Sequence, residues 1–280
     1  MPLPLPMSRA NPLKDLSEHF AFGANWADYA RGVDDERISH ARQALERLLG
    51  DAVRGRSFLD VGCGSGIHSL AALQLGAARV LATDLDPLSV ATTRRMLRDH
   101  APAESDWSAR QISVFDLDPD ALGTFDVVYS WGVLHHTGAM FEAIASAARL
   151  VAPGGLLCLA LYRRTLLCPL WRAEKRLYTR RSPRTQRLMS GLYKRAFQLG
   201  MRLTGRDPQR HEAEYRGRRG MSLDHDIHDW MGGYPYESIG PVALRRFVEP
   251  LGFEVVQQWA RPGGIGLFGS GCDEHLFRRL

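Results

Sequence analysis

Between residues 35 and 162 the chain alternates two rhythms. Short apolar runs ending on an acid, serine or tyrosine are separated by longer stretches whose apolar residues recur three and four apart. The first rhythm predicts buried strands and the second amphipathic helices. Their alternation predicts a parallel sheet with helices on both faces. Strands are expected at Phe58-Leu59 leading into Asp60, and at Arg79–Thr83, Ile112–Phe115, Phe125–Ser130 and Leu156–Leu161. Helices are expected at Asp35–Leu49, closed by Gly50, at His68–Leu75, closed by Gly76, and at Met140–Val151. A further helix begins at Pro87 with Asp86 as its cap. A basic helical segment covers 163–223. The chain then returns through a helix at 241–250, a strand at 253–259 and a last short strand at 275–278, with a glycine-rich connection, 262–271, between the two strands. The expected organisation is an N-terminal arm and lid (1–50), an α/β core (51–162), an inserted basic cap (163–240) and a C-terminal return to the sheet (241–280).

The stretch SFLDVGCGSG (57–66) places glycines at 62, 64 and 66, directly after a strand and before a helix. Glycines there let the backbone turn sharply and come close to a flat ligand. The G-x-G-x-G spacing differs from the G-x-G-x-x-G that seats a pyrophosphate on a helix N-terminus. Asp84 ends the second strand, where an acid accepts hydrogen bonds from the ribose hydroxyls of a nucleoside cofactor.

With the fourth strand, FDVVYS running into WGVLHH (125–136), and with APGG (152–155) before the fifth, this succession resembles class I S-adenosylmethionine-dependent methyltransferases. The likeness is close over 57–162. It extends more loosely to HFAFGANWADY (19–29) and RGMSLDHDIHDWMGGYPYE (219–237). The resemblance implies a doubly wound, seven-stranded, mostly parallel Rossmann-like sheet whose last two strands pair antiparallel at one edge. A helical N-terminal flap and an inserted helical cap would accompany it, with S-adenosyl-L-methionine as methyl donor and S-adenosyl-L-homocysteine as product. It also implies that Asp60, Gly62, Gly64 and Gly66 surround the amino-acid end of the cofactor. Asp84 would take the ribose, Leu85 would lie against the adenine, and Asp116 would accept from the adenine amino group beside Phe115 or Leu117. Ser130 and Trp131 would line the methyl end, where an aromatic face suits a sulfonium, and Tyr29 of the flap would touch the cofactor.

Methyl transfer from a sulfonium is an in-line displacement with a good leaving group, so positioning and water exclusion carry much of it. The candidate bases are His136 and, in the cap, His225, which faces Asp229 at i, i+4. Tyr236 is a third candidate at the reacting centre. Trp26 and Arg37 in the arm, with Arg219, Asp229, Tyr234 and Glu237 in the cap, are the candidate acceptor contacts. Packing and capping roles stand beside each of these.

The net charge is +5, but the 163–223 segment carries 17 Lys+Arg against four acids, +13 locally, which leaves −8 for the remainder. A basic stretch interleaved with aromatics suits a nucleic-acid surface. Helical spacing of Leu177, Leu188, Leu192 and Phe197 favours instead amphipathic helices whose apolar stripes cover the core. The expected acceptor is therefore a small metabolite methylated at O, N or S, with RNA as the rival and a nicotinamide-dependent oxidoreductase as the rival of another class. No apolar run is long enough to span a bilayer. The proline-broken start does not suit a signal peptide. The four cysteines have no metal-ligand spacing. A cytoplasmic protein with free thiols, no metal and no membrane partner is expected.

Overall fold

The computed structural model describes residues 20, 22–219 and 223–280. The sheet is built from β1 (Ser57–Val61), β2 (Arg79–Asp84), β3 (Trp107–Gln111), β4 (Phe125–Trp131), β5 (Val151–Tyr162), β6 (Phe253–Trp259) and β7 (Cys272–Arg279). Their order is β3-β2-β1-β4-β5-β7-β6; the first five run parallel and β7 is antiparallel to both its neighbours. This is the expected doubly wound seven-stranded sheet. The strand order reverses between β1 and β4, which opens a crevice at their carboxyl ends.

Both faces are covered, so the central strands are apolar on both sides. Leu59, Val61, Val128, Leu157, Leu159 and Leu161 point to one face, against α6 (Met140–Arg149) and α11 (Pro241–Val248). Phe58, Val80, Val127, Tyr129 and Cys158 alternate to the other. There they meet α2 (Asp35–Leu49), α3 (Ile67–Gln74) and α4 (Pro87–His100). α2 is capped by Asp34, whose side chain accepts from the Arg37 amide, and it buries Ile38, Ala41, Leu45, Leu48 and Leu49 along one stripe. α4 starts as its sequence predicts, with Asp86 accepting from the Leu88 amide and Pro87 in the first turn.

One strand was misplaced in the sequence reading. Residues 112–116 are not β3 but the turn after it, where the Ser113 hydroxyl caps a short 3-10 helix, Val114–Asp116. β3 itself, WSARQ, is a polar edge strand with only Ala109 fully buried. An edge strand needs little apolar surface, so the more apolar loop beyond it mimics the strand.

The N-terminal arm enters through α1 (Phe22–Ala30), and the cap consists of α7 (Cys168–Thr179), α8 (Pro183–Leu203), α9 (Pro208–Arg219) and α10 (Leu223–Gly232). α5 (Pro119–Leu122) is a single turn before β4. α7 buries Cys168, Trp171, Lys175 and Tyr178, one stripe at helical spacing. The expectation that Leu177, Leu188 and Leu192 cover the core is not met: they are 45%, 64% and 56% exposed. The inner face of α8 is instead Met189, Tyr193, Phe197 and Met201. No helix among the described residues is long and apolar enough to cross a membrane.

Candidate cofactor site

At the reversal point lies a cleft partly open to solvent, where small-molecule sites form in sheets of this kind. Val61 and Gly62 after β1, Asp84 to Asp86 after β2, Ile112 to Phe115 after β3, and Val133, His136 and Thr137 after β4 line it. Phe20 and Phe22 come over from the arm.

Each polar wall residue is fixed by its neighbours. Asp84 accepts from the Gly64 amide through Oδ2 at 3.0 Å and from the Asp86 amide through Oδ1 at 2.9 Å, so its carboxylate is held at the crevice edge. Burial pushes it up to about 6 despite those two bonds. Asp60 sits beneath the turn, accepts from the Ser69 hydroxyl at 2.6 Å, and is pushed by burial to about 7. The turn is tight on both sides. Gly64 has φ +54°, and a Cβ there would lie 3.1 Å from Trp26, whose indole roofs the turn. A Cβ on Gly62 would run into Val133 at 2.4 Å.

The roof is the arm itself. The Gly23 amide donates to Asp86 Oδ2 at 3.1 Å, and Asn25 Nδ2 donates to Asp229 Oδ1 of α10 at 3.1 Å. α1 is thereby pinned to both core and cap. Tyr29 is not in the cleft lining; it packs edge-on to Trp26 beneath the Arg37 guanidinium, and burial pushes its phenol to about 12. Arg37, a candidate acceptor contact, lies over the Tyr29 ring and outside the cleft lining.

The structure spreads the other expected site residues widely. Leu85 lines the cleft. Asp116 is exposed and lies outside the lining, where Ser113 is the polar group beside Phe115. Ser130 is fully buried and donates to the Val61 carbonyl, tying β4 to β1. Trp131 donates to Glu274 of β7 at 2.9 Å. His136 does face the cleft. Its Nδ1 lies 2.8 Å from the Pro235 carbonyl, which can only accept, so Nδ1 carries the proton in the neutral ring. Phe22 stacks against it, with ring centroids 5.0 Å apart.

The 219–237 signature docks the cap onto the core. The Tyr236 hydroxyl is taken by Cys168 Sγ and Ser270 Oγ, each at 3.2 Å, so it does not reach the cleft. Glu237 accepts from the Met140 amide at 2.9 Å and caps α6, which has no side-chain cap of its own. The Tyr234 carbonyl accepts from the Phe20 amide. Asp229 accepts from Asn25 of α1, and the side chains of His225 and Arg219 lie outside the described residues. Gly232 and Gly233 press against the rings of Phe20 and His136, where added Cβ atoms would come within 2.2 and 2.5 Å.

Sequence reasoning missed two features. Ser113 and Thr137 line the cleft without a motif to mark them, and Phe20 and Phe22 line it from the 19–29 stretch, where only Trp26 and Tyr29 were singled out. Behind His136 lies a buried cluster centred on Tyr162, in which Lys175 is fully buried with its Nζ 3.6 Å from the Trp230 ring centroid. Lys175 Nζ, Trp230 Nε1 and His135 Nε2 have no hydrogen-bond partner among the described residues. Burial lowers the Lys175 amine and holds His135 well below the ordinary histidine range. The signal for Lys175 was present: it falls on the apolar stripe of α7.

The cleft suits a nucleoside cofactor. An apolar slot formed by Leu85, Ile112, Val114 and Phe115 can take a flat base, Asp84 the ribose hydroxyls, and the turn under Trp26 an amino-acid tail. Residues 59–157 match the methyltransferase domain family. The chain is 35% identical over 117 residues to a ribosomal protein L11 methyltransferase of Teredinibacter turnerae, covering 41% of this chain and 36% of that protein. It is 31% identical over 166 residues to a ubiquinone biosynthesis O-methyltransferase of a Caulobacter species, covering 54% and 64%. The chain therefore spans between about a third and two thirds of these relatives' lengths. Its fold is similar to that of the magnesium protoporphyrin IX methyltransferase of Synechocystis, solved with bound S-adenosylmethionine. The TM-score is 0.52 at 13% identity, over 88% of this chain and 80% of that one. Sheet order, glycine turn and the acid ending β2 agree with the domain match, and residues 59–157 carry a methyltransferase domain of Rossmann-like fold.

Proposed function

We propose that the protein is a cytoplasmic enzyme that transfers a methyl group from S-adenosylmethionine to a small-molecule acceptor at O, N or S. The observation that carries this reading is the roofed cleft. α1 lies over the glycine turn, Phe20 and Phe22 narrow the mouth, and α10 locks α1 in place through Asn25 and Asp229. A pocket roofed in this way suits a compact acceptor better than a nucleotide within a folded RNA.

When bound, the cofactor supplies an activated methyl on a cationic sulfur. The chain's own work is to hold the ribose on Asp84, to exclude water with Trp26, Phe20 and Phe22, and to orient the acceptor. His136 is the group placed to move a proton: with Nδ1 committed to Pro235, its Nε2 is the basic atom. Tyr236 and Glu237 support the site by holding the 233–237 turn against α7 and α6.

The test is to incubate the protein with methyl-labelled S-adenosylmethionine and a whole-cell extract, then separate small molecules, RNA and protein. Label in the small-molecule fraction, reduced at least tenfold by His136→Ala, is the expected result. Label confined to RNA or protein would overturn the acceptor assignment while leaving the cofactor reading intact.

A further inference from the structure

α8 is apolar on two faces. The inner one packs on the cap, and the outer one packs on nothing among the described residues. Leu188, Leu192, Leu199 and Leu203 are 64%, 56%, 55% and 79% exposed. At about 100° per residue they fall within about 60° of one another around the helix. Arg184, Arg195 and Arg202, all exposed, run in a parallel row beside them. The helix is 21 residues long, or about 31 Å, so the paired rows form an elongated strip. Two leucines of α7, Leu170 and Leu177, are exposed as well, and residues 163–203 contain 12 Lys+Arg against one acid, Glu174.

We infer that this strip is a docking surface for an anionic phospholipid bilayer, with the leucines entering the headgroup boundary and the arginines pairing with lipid phosphates. Charge and apolarity together select this occupant. A nucleic acid would satisfy the arginines and leave the leucine row in water. A second copy meeting this face by two-fold symmetry would set the arginine row against arginines or leucines, with no acid of α8 to pair it. A spanning helix is not required, so the expectation of no membrane partner, which rested on the lack of a span, does not reach this surface. The inference is independent of the acceptor: it concerns where the enzyme sits.

The experiment is co-sedimentation of the full chain with vesicles of phosphatidylcholine alone and of phosphatidylcholine with an equal part of phosphatidylglycerol. The protein is expected to pellet with the anionic vesicles only. Leu192→Glu/Leu199→Glu should reduce that binding at least tenfold, and Arg195→Gln/Arg202→Gln severalfold, both keeping wild-type thermal stabilisation by S-adenosylhomocysteine. Because all four side chains are exposed, these variants are expected to fold. Equal pelleting with both vesicle types, no pelleting, or leucine variants that bind as wild type would overturn the proposal. So would a wild-type dimer in solution that Leu192→Glu/Leu199→Glu dissolves, or tRNA binding that abolishes pelleting and depends on the arginines alone.

Discussion

At the scale of single residues, the two carboxylates under the glycine turn give the site its pH dependence. Burial raises Asp84 to about 6 and Asp60 to about 7. Ribose hydroxyls donate to the ionised form of Asp84, so S-adenosylhomocysteine affinity should climb as pH rises through about 6 and level off above about 7. The slope below about 6 approaches tenfold per pH unit. Calorimetric titration from pH 5 to 8 checks this, and an affinity flat across that range would contradict it. The free chain should behave oppositely. Both carboxyls hold their protons more tightly when folded, so stability is greatest below about 4 in their contribution and is lost as pH rises through about 6 to 7. Lys175 is lowered by burial, so its contribution rises with pH from near neutrality towards the ordinary lysine range. Lys175→Met should therefore stabilise the protein at pH 7, the gain being partly offset by the lost attraction to Glu174 and Asp229, because an amine with no hydrogen-bond partner among the described residues is replaced by an apolar chain of similar volume. The gain should shrink at pH 9. Urea unfolding at both values checks this, and a less stable variant at pH 7 would show the amine to be engaged. Asp84 and the glycines could be read from sequence because adjacent residues define a strand end and a turn. The destination of the Tyr236 hydroxyl could not, because Cys168 and Ser270 are brought to it by packing between the cap and the last loop.

At the scale of elements, α1 is the piece whose role is most exposed to test. Gly23 lets it approach α4 so closely that a Cβ would lie 2.1 Å from Asp86 Oδ2. Gly23→Ala must displace the Asp86 carboxylate, which caps α4 and accepts from the Gly23 amide, or shift α1 from the turn, at about 1–3 kcal/mol. The expected result is near-native circular dichroism with a smaller thermal shift from S-adenosylhomocysteine; an unchanged shift would show that α1 is not part of the cofactor site. The helices and central strands were legible because burial on one stripe or both faces writes a strong periodicity into the sequence. β3 was not, since an edge strand carries few apolar residues. The leucines of α8 misled for the opposite reason. Their spacing is a true helical stripe, but periodicity shows that a face exists, not that the fold covers it.

At the scale of the whole molecule, a Rossmann-like sheet supplies a cofactor crevice at its reversal point. The two least regular parts of the chain, the arm and the cap, close it from above. The sequence motifs reported the crevice because its geometry is local: strand, glycine turn, helix, acid. They announced a flap and a cap but not the contacts that close them, which are as distant as Asn25 with Asp229. The account rests on cofactor binding at Asp84. Its most direct test is calorimetric titration of S-adenosylhomocysteine into the wild-type chain and into Asp84→Asn at pH 7.5. The wild type should bind, and the variant, which keeps the shape but loses the charge that ribose hydroxyls donate to, should bind at least tenfold more weakly. A wild-type chain that does not bind, or a variant that binds as well as the wild type, would contradict the placement of the cofactor in this cleft.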